Sequence, residues 1–223
     1  FKTTPVTGSR IISGLVPCNR LPDEILTEHP DRFRAMLIES ANPVHSLADA
    51  SRMREALNAL DLVVVIDIAM TETARQADYI LPASSQYEKP EMAFFNYEFP
   101  KNCAQLRTPL MEPLPGTLPE PEIHARLLEA VDPFETAELE LLKRAASQGL
   151  EAFTAAFHEA ATNNVKINLY STYVLYRTLG PRLPKGMAES ASLWGVAHLF
   201  AKTEGKSLAS AGFDGPAPIL SLI

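Results

Sequence analysis

The hydrophobic pattern of the chain is strongest between residues 62 and 82. The run from Leu62 to Ile66 is aliphatic and mostly β-branched, which predicts a parallel strand buried on both faces. Tyr79 to Leu81 predicts a second strand, and Pro82 ends it. Between the two strands, Thr71 can cap a short helix that starts around Glu72. This stretch therefore predicts a strand, a loop, a helix and a strand in succession.

The residues before this stretch continue the alternation of helices and strands. The predicted elements are, in order, a strand or buried segment at 11–16, a helix at 22–33 with a break at His29-Pro30, a strand at 34–39 ended by Asn42-Pro43, and a helix that reaches residue 60. This order predicts an α/β fold, with a Rossmann-like parallel sheet and helices on both faces.

The composition changes after the second strand. Nine of the 18 prolines lie between Pro82 and Pro133, so this segment cannot be mostly helix or central strand, and its clear helix runs from about Glu122 to Val131. After Pro133, four segments have helical spacing, which predicts a helical extension. We therefore expect an α/β domain at residues 1–133 and a helical extension at 134–223, as part of a larger chain.

Charge and cysteine content exclude several classes of protein. Acidic residues outnumber Lys and Arg by 27 to 20 without long charged blocks, which argues against nucleic acid or an anionic membrane surface as the main partner. Cys18 and Cys103 are isolated, so neither an iron–sulfur cluster nor a zinc site is supported. The absence of a membrane-span pattern and of a signal peptide, together with two lone cysteines, favours a cytoplasmic protein.

Polar residues follow the predicted strands directly. In open α/β sheets, ligands bind beyond the carboxyl ends of the strands, where Asn42 and Asp67 lie. Neither of the two common glycine-rich phosphate loops occurs, so a nucleotide bound here would be held mainly by its base and ribose. The carboxylate of Asp67 can accept hydrogen bonds from a base or from the ribose hydroxyls, with backbone groups of Ile66 beside it. The alternatives are a solvated acid at Asp67 and a simple Asn-Pro turn at Asn42.

Four further candidates also have a simple structural interpretation. Thr71 and Glu72 lie at a helix N-terminus where amides can meet a phosphate or base oxygen, although capping alone accounts for Thr71. Lys89 can pair with a phosphate group or reach the base of a nucleotide, or it can be solvated. Glu122, like Glu120, can supply a second acidic contact or be an acid favoured by the helix dipole.

An ordered series of short motifs runs through the α/β half. The motifs are Glu39-Ser40-Ala41-Asn42-Pro43, Val63-Val64-Val65-Ile66-Asp67, Thr71-Glu72-Thr73-Ala74, Ala77-Asp78-Tyr79-Ile80-Leu81-Pro82-Ala83 and Glu88-Lys89. In this order and spacing they resemble the molybdopterin oxidoreductases of the dimethyl sulfoxide reductase family, and more narrowly that family's third domain. The chain departs from the family pattern after Lys89, where Pro90-Glu91 replaces the usual glycine, and at Met92-Ala93-Phe94-Phe95-Asn96.

The resemblance implies that this chain binds the guanosine end of one molybdopterin guanine dinucleotide. The residues implied are Asn42, Ile66, Asp67, Thr71, Glu72, Lys89 and Glu122. Molybdenum, with or without an iron–sulfur cluster, would belong to the intact enzyme, which would be a molybdopterin-dependent oxidoreductase. The remaining domains of the same polypeptide would be its partners. No catalytic residue and no metal ligand is assigned to this chain.

Two other interpretations compete with this one. The first is a non-enzymatic α/β interaction or regulatory domain that docks through its helical tail. The second is an independent nucleotide-dependent enzyme, against which the missing phosphate-loop glycines weigh.

Overall fold

The computed structural model describes residues 2–93, 105–210 and 212. Cys103 and the altered motif residues 94–96 lie outside the described residues. The chain forms two compact units, which we call the first unit (residues 1–83 with 116–118) and the second unit (residues 84–115 with 119–223). The domain boundary predicted at residue 133 stays a prediction, because the two units are defined only by their compactness.

The first unit contains a parallel three-stranded sheet. Its strands are β1 (Ala35–Glu39), β2 (Leu62–Asp67) and β3 (Tyr79–Pro82), in the order β1-β2-β3. Val64 of β2 pairs with Leu37 of β1 and with Tyr79 of β3, so β2 is the central strand. The predicted α/β fold with a parallel sheet flanked by helices is confirmed. The aliphatic run from Leu62 to Ile66 lies in β2, which has a neighbouring strand on each side.

Helix α1 (Leu21–Ile25) precedes the first strand. The strands are connected by two helices, α2 (Pro43–Ser46) and α3 (Ala50–Asn58), and by the 3₁₀ turn Ala74–Gln76. Side chains on one sheet face pack against α3, and this core contains Ile38, Val44, Met53, Leu57, Val63, Val65 and Ala74. On the opposite face Ile66 is fully buried, whereas Leu37 and Tyr79 are exposed.

Two elements predicted in the first unit differ from those in the structure. The helix predicted at 22–33 ends at Ile25, and the amide of Phe33 then bonds to the carbonyl of Glu24, so the chain turns back between these two residues. The apolar run at 11–16 is not a strand or a buried segment, and that prediction is wrong. Ile12 and Leu15 form one isolated bridge, and their side chains are exposed.

A buried carboxylate holds the N-terminal segment on α1. Glu24 is fully buried; its Oε2 accepts from the amide of Val6 at 3.0 Å, and its Oε1 accepts from the amide and the hydroxyl of Thr7 at 2.9 and 2.6 Å. Burial alone would raise the pKa of Glu24, but hydrogen bonding from Thr4, Thr7 and the Val6 amide outweighs burial and lowers the pKa to about 2.

The second unit is mostly helical. It contains the antiparallel pair β4 (Glu91–Ala93) and β5 (Gln105–Arg107), followed by α4 (Glu120–Val131), α5 (Thr136–Gln148), α6 (Leu150–Asn163), α7 (Val165–Leu169), α8 (Ser171–Thr178), α9 (Ala191–Thr203) and α10 (Gly205–Ser210). The predicted break at Gly149 is confirmed, because its φ of +117° is a left-handed conformation that glycine adopts without strain.

Aromatic side chains fill the core of the second unit. Trp194 of α9 meets Phe153 and Phe157 of α6 edge to face, with ring centroids 5.2 and 5.4 Å apart. All three side chains are buried. Among the described residues, no helix has the length and apolar character that crossing a membrane requires.

Candidate functional site

The side chain of Asn42 joins the end of β1 to the loop after β2. Its Oδ1 accepts hydrogen bonds from the amide of Thr73 at 3.2 Å and from Oγ1 of Thr73 at 2.7 Å. Its Nδ2 donates to Oε2 of Glu72 at 2.6 Å. Oγ1 of Thr73 also accepts from the amide of Val44 at 3.1 Å, which anchors α2 to the same point. Asn42 therefore does more than form a turn, since it links two loops at the carboxyl edge of the sheet.

Strand β2 positions Asp67 at this edge. Its Oδ1 accepts from the amide of Ile68 at 2.7 Å and, at the longer distance of 3.4 Å, from the amide of Ala69. No ion pair joins Asp67 to any residue that the structure describes. One carboxylate oxygen is thus oriented by the backbone, and Oδ2 takes no part in these two bonds.

Ile66 fixes the backbone beside Asp67. Its carbonyl accepts from the amide of Ser40 at 3.0 Å, which extends the pairing of β1 and β2 by one residue. Ser40 has a φ of +51°, a left-handed conformation that is uncommon for a residue other than glycine. The carbonyl of Asp67 accepts from the amide of Ala83 at 3.0 Å on the other side. The ends of all three strands are therefore tied together next to the Asp67 carboxylate.

Thr71 and Glu72 precede a turn that is shorter than the helix expected from the sequence. Oγ1 of Thr71 accepts from the amide of Ala74 at 3.1 Å, as the hydroxyl of a capping residue does, but the turn starts at Ala74 and Thr73 is its N-cap residue. The turn has three residues, so it aligns few amides toward a phosphate. The hydrogen bond from Asn42 to the exposed carboxylate of Glu72 lowers the pKa of Glu72 and keeps this side chain ionised.

Lys89 lies in the second unit and is paired with Glu120. Its Nζ is 2.5 Å from both carboxylate oxygens of Glu120, and both side chains are largely buried. The preceding residue, Glu88, is also buried, and it accepts from the amides of Ser85 and Leu114 at 2.7 Å each. These backbone donors lower the pKa of Glu88, although burial opposes them.

Glu122 connects α4 to α8. Oε2 accepts from Nη1 of Arg177 at 2.6 Å and from the hydroxyl of Tyr176 at 3.0 Å, and Oε1 accepts from Nε of Arg126 at 2.7 Å. Burial alone would raise the pKa of Glu122, but its bonds to Arg177, Arg126 and Tyr176 outweigh burial and lower the pKa. The structure thus gives Glu122 a helix-packing role, and its role as a cofactor ligand stays a prediction.

The arrangement at the sheet edge suits recognition of hydrogen-bond donors better than proton transfer. The carboxylates of Asp67 and Glu72 both accept hydrogen bonds, and each has one oxygen already oriented by a protein donor. Ile68 and Met70, in the loop between them, expose apolar side chains. Within residues 2–93, 105–210 and 212, no three potential metal ligands cluster.

Sequence reasoning missed several residues that shape these sites. Thr73 is fully buried and bonds to Asn42, and Glu88, next to Lys89, accepts a hydrogen bond from the amide of Leu114. Both residues lie inside motifs that the sequence already singles out, but their partners lie far along the chain. Glu88, for example, holds the amide of Leu114, 26 residues away. Local spacing contains no signal for such pairing.

Comparisons with known proteins agree with the motif series. The sequence model of the molybdopterin oxidoreductase family matches residues 9–111. Trimethylamine-N-oxide reductase of Vibrio vulnificus (strain YJ016) is 34% identical over 100 residues, which cover 45% of this chain and 12% of that protein. The F420-dependent formate dehydrogenase subunit alpha of Methanocaldococcus jannaschii is 39% identical over 66 residues, which cover 30% of this chain and 10% of that protein.

A third relative extends the similarity beyond the family match. The probable oxidoreductase YoaE of Bacillus subtilis (strain 168) is 31% identical over 136 residues, which cover 59% of this chain and 19% of that protein. The chain therefore spans less than a fifth of the length of each of these three relatives. The family model and these relatives support the assignment of residues 9–111 to the molybdopterin oxidoreductase family.

Proposed function

We propose that the first unit binds the guanosine end of one molybdopterin guanine dinucleotide in a molybdenum-dependent oxidoreductase. The observation that carries the proposal is the pair of half-engaged carboxylates, Asp67 and Glu72, at the carboxyl edge of a parallel sheet. The match to the family model supports a molybdopterin-type cofactor, and the donor pattern of guanine supports the guanine dinucleotide form.

Guanine fits a carboxylate better than the other purine does. Its N1–H and 2-amino groups are adjacent donors, whereas adenine presents an acceptor at N1. A hydrogen bond to a charged acceptor contributes roughly 1.5–3 kcal/mol. The free Oδ2 of Asp67 would accept from the base or the ribose, while the amide of Ile68 keeps the carboxylate oriented.

Glu72 would supply the second carboxylate contact. Its Oε2 is taken by Nδ2 of Asn42, which leaves Oε1 for a ligand. Asn42 would act mainly by orienting Glu72, because both of its side-chain polar atoms are already engaged within the protein. The exposed apolar side chains of Ile68 and Met70 would shield these contacts from water.

Lys89 stays a candidate from the family pattern alone, because its Nζ is already paired with both carboxylate oxygens of Glu120 within the second unit. When bound, the molybdenum cofactor supplies two-electron redox or oxo-transfer chemistry at its metal. The residues of the first unit would bind and orient the distant guanosine end, and no proton transfer or nucleophilic attack is assigned to them.

The test is a thermal-shift titration of the chain with GMP, AMP and GTP. Because half of a cofactor site binds weakly, each nucleotide is taken to about ten millimolar, where a millimolar affinity still raises the melting temperature. We expect stabilisation by GMP and GTP over AMP. Equal shifts for GMP and AMP would contradict the proposal, and the absence of any shift would favour the interaction-domain alternative.

A matched pair of variants ties the result to the site. Asp67→Asn removes the acid at the carboxyl end of β2, and Asp61→Asn removes an acid directly before the same strand. Asp61 pairs with Arg32 and Arg34. Asp61→Asn therefore tests whether a change in charge or stability of the first unit alone alters the GMP shift. The GMP shift should disappear in Asp67→Asn and persist in Asp61→Asn.

A further inference from the structure

Two histidines that are 40 positions apart in the sequence meet in the second unit. His158 lies on α6 and His198 lies on α9, and their ring centroids are 5.8 Å apart at an interplanar angle of 83°. The indole of Trp194 lies one helical turn before His198, with ring centroids 4.2 Å apart. Phe157 packs edge to face on the same indole. The histidine pair therefore forms one side of the aromatic core.

The surroundings of His198 suit a neutral imidazole. Its Nε2 is buried and has no hydrogen-bond partner among the described residues, and the same holds for Nε1 of Trp194. A second proton on His198 would place a positive charge beside another imidazole, without an acceptor for the new donor at Nε2. Such a charge is costly in an apolar environment.

Few charged groups can offset a proton on His198. The described ionisable residues on the elements that pack around α9 are Glu151, His158 and Glu159 on α6, Tyr173, Tyr176 and Arg177 on α8, Glu189 before α9, and Lys206 on α10. Arg177 and both tyrosines are engaged with Glu122 and Glu129. Burial lowers the pKa of His198 below its usual value, and His158 lowers it further.

We propose that His158 and His198 form an acid-sensitive latch that holds α9 on α6 while the imidazole of His198 is neutral. The pKa of His198 is lowered in the folded protein, so the unfolded chain binds more protons on acidification. The latch is fully closed above the ordinary histidine pKa, and its stabilisation is lost as the pH falls from there through the lowered pKa of the folded state. This device is independent of nucleotide binding in the first unit.

The chain contains a built-in reporter, because Trp194 is its one tryptophan. We would measure Trp194 fluorescence and the melting temperature of the full 223-residue chain between about pH 7.5 and pH 5, where histidine titrates and most carboxylates do not. The expected result is a reversible loss of fluorescence together with a fall in melting temperature. A flat fluorescence profile over this range would overturn the proposal.

Three variants assign the transition to the latch. His198→Phe keeps an aromatic ring but removes the titrating group, so the transition should be lost. His158→Gln alters an exposed residue and removes the second imidazole, so the midpoint should move up toward the ordinary histidine value. His29→Gln, at an exposed site in the first unit, should leave the midpoint unchanged.

The two latch variants decide the proposal independently. If His198→Phe does not fold, the shift of the midpoint in His158→Gln remains a complete test. An unchanged midpoint in His158→Gln, or an unchanged transition in a folded His198→Phe, would overturn the proposal. An equal shift in His29→Gln would also overturn it.

Discussion

Nδ2 of Asn42 donates a 2.6 Å hydrogen bond to the carboxylate of Glu72, across 30 residues of sequence. This bond connects the loops that follow β1 and β2, and Oδ1 of Asn42 reinforces it by holding Thr73. A side chain that the sequence presents as a turn former is therefore the connection between two strand ends. The orientation of the carboxylate of Glu72 depends on it.

Asn42→Asp should break the hydrogen bond to Glu72 while keeping those to Thr73. The aspartate can still accept from Thr73, but its other oxygen faces the carboxylate of Glu72. We expect a lower melting temperature at neutral pH, and the difference from the unmodified chain should shrink as the pH falls and Glu72 becomes protonated. Thermal unfolding measured at several pH values checks this.

A second substitution provides the control for Asn42→Asp. Adding Glu72→Gln restores a donor opposite the new aspartate, so the double variant should recover much of the lost stability. If the two substitutions lower the melting temperature additively, the two side chains do not interact in solution as they do in the structure.

Under the proposed function, Asp67→Asn should weaken cofactor binding. Loss of one or two charge-assisted hydrogen bonds weakens binding by roughly 2–4 kcal/mol, which corresponds to about 30- to 1,000-fold in affinity. The molybdenum content of the purified protein, measured by mass spectrometry, should fall accordingly. Asp61→Asn serves as the control, and normal loading of Asp67→Asn would refute the assigned role.

Glu24→Gln should destabilise the first unit by roughly 2–3 kcal/mol at neutral pH, because one of its two acceptors becomes a donor that faces backbone amides. The pKa of Glu24 is about 2 in the folded protein, below its usual 4.5, so its stabilisation is present above pH 4.5 and is lost as the pH falls toward 2. Denaturant unfolding between about pH 7 and pH 2.5 measures this, and the variant should lack that part of the acid dependence. Glu28→Gln, at an exposed site nearby, should behave like the unmodified chain.

Ser40 should be sensitive to the shape of its side chain, because its φ is +51° at the end of β1. Ser40→Val places a β-branched residue in the left-handed region and should cost roughly 1–3 kcal/mol relative to Ser40→Gly. Ser40→Ala controls for loss of the hydroxyl and should lie between the two. Equal stability of the glycine and valine variants would show that the backbone relaxes away from this conformation.

The elements with strong periodic patterns could be predicted from the sequence. The aliphatic run of β2 became the central strand, Asp67 came to lie at its carboxyl end, and the segments after Pro133 formed helices. The hydroxyl of Thr71 accepts a hydrogen bond from a backbone amide three residues later, as its residue type indicates. These features depend on the preferences of neighbouring residues, which a single sequence records directly.

Tertiary structure alone decided which distant side chains meet. Asn42 could be a turn former or a ligand until Glu72 and Thr73 were found beside it, and Glu122 could face a ligand until Arg177, 55 residues away, was found to bind it. The pairing of His158 with His198 likewise arises from the packing of α6 and α9. Sequence periodicity reports which face of an element is buried. The identity of the partner depends on how the elements pack, and local spacing does not encode it.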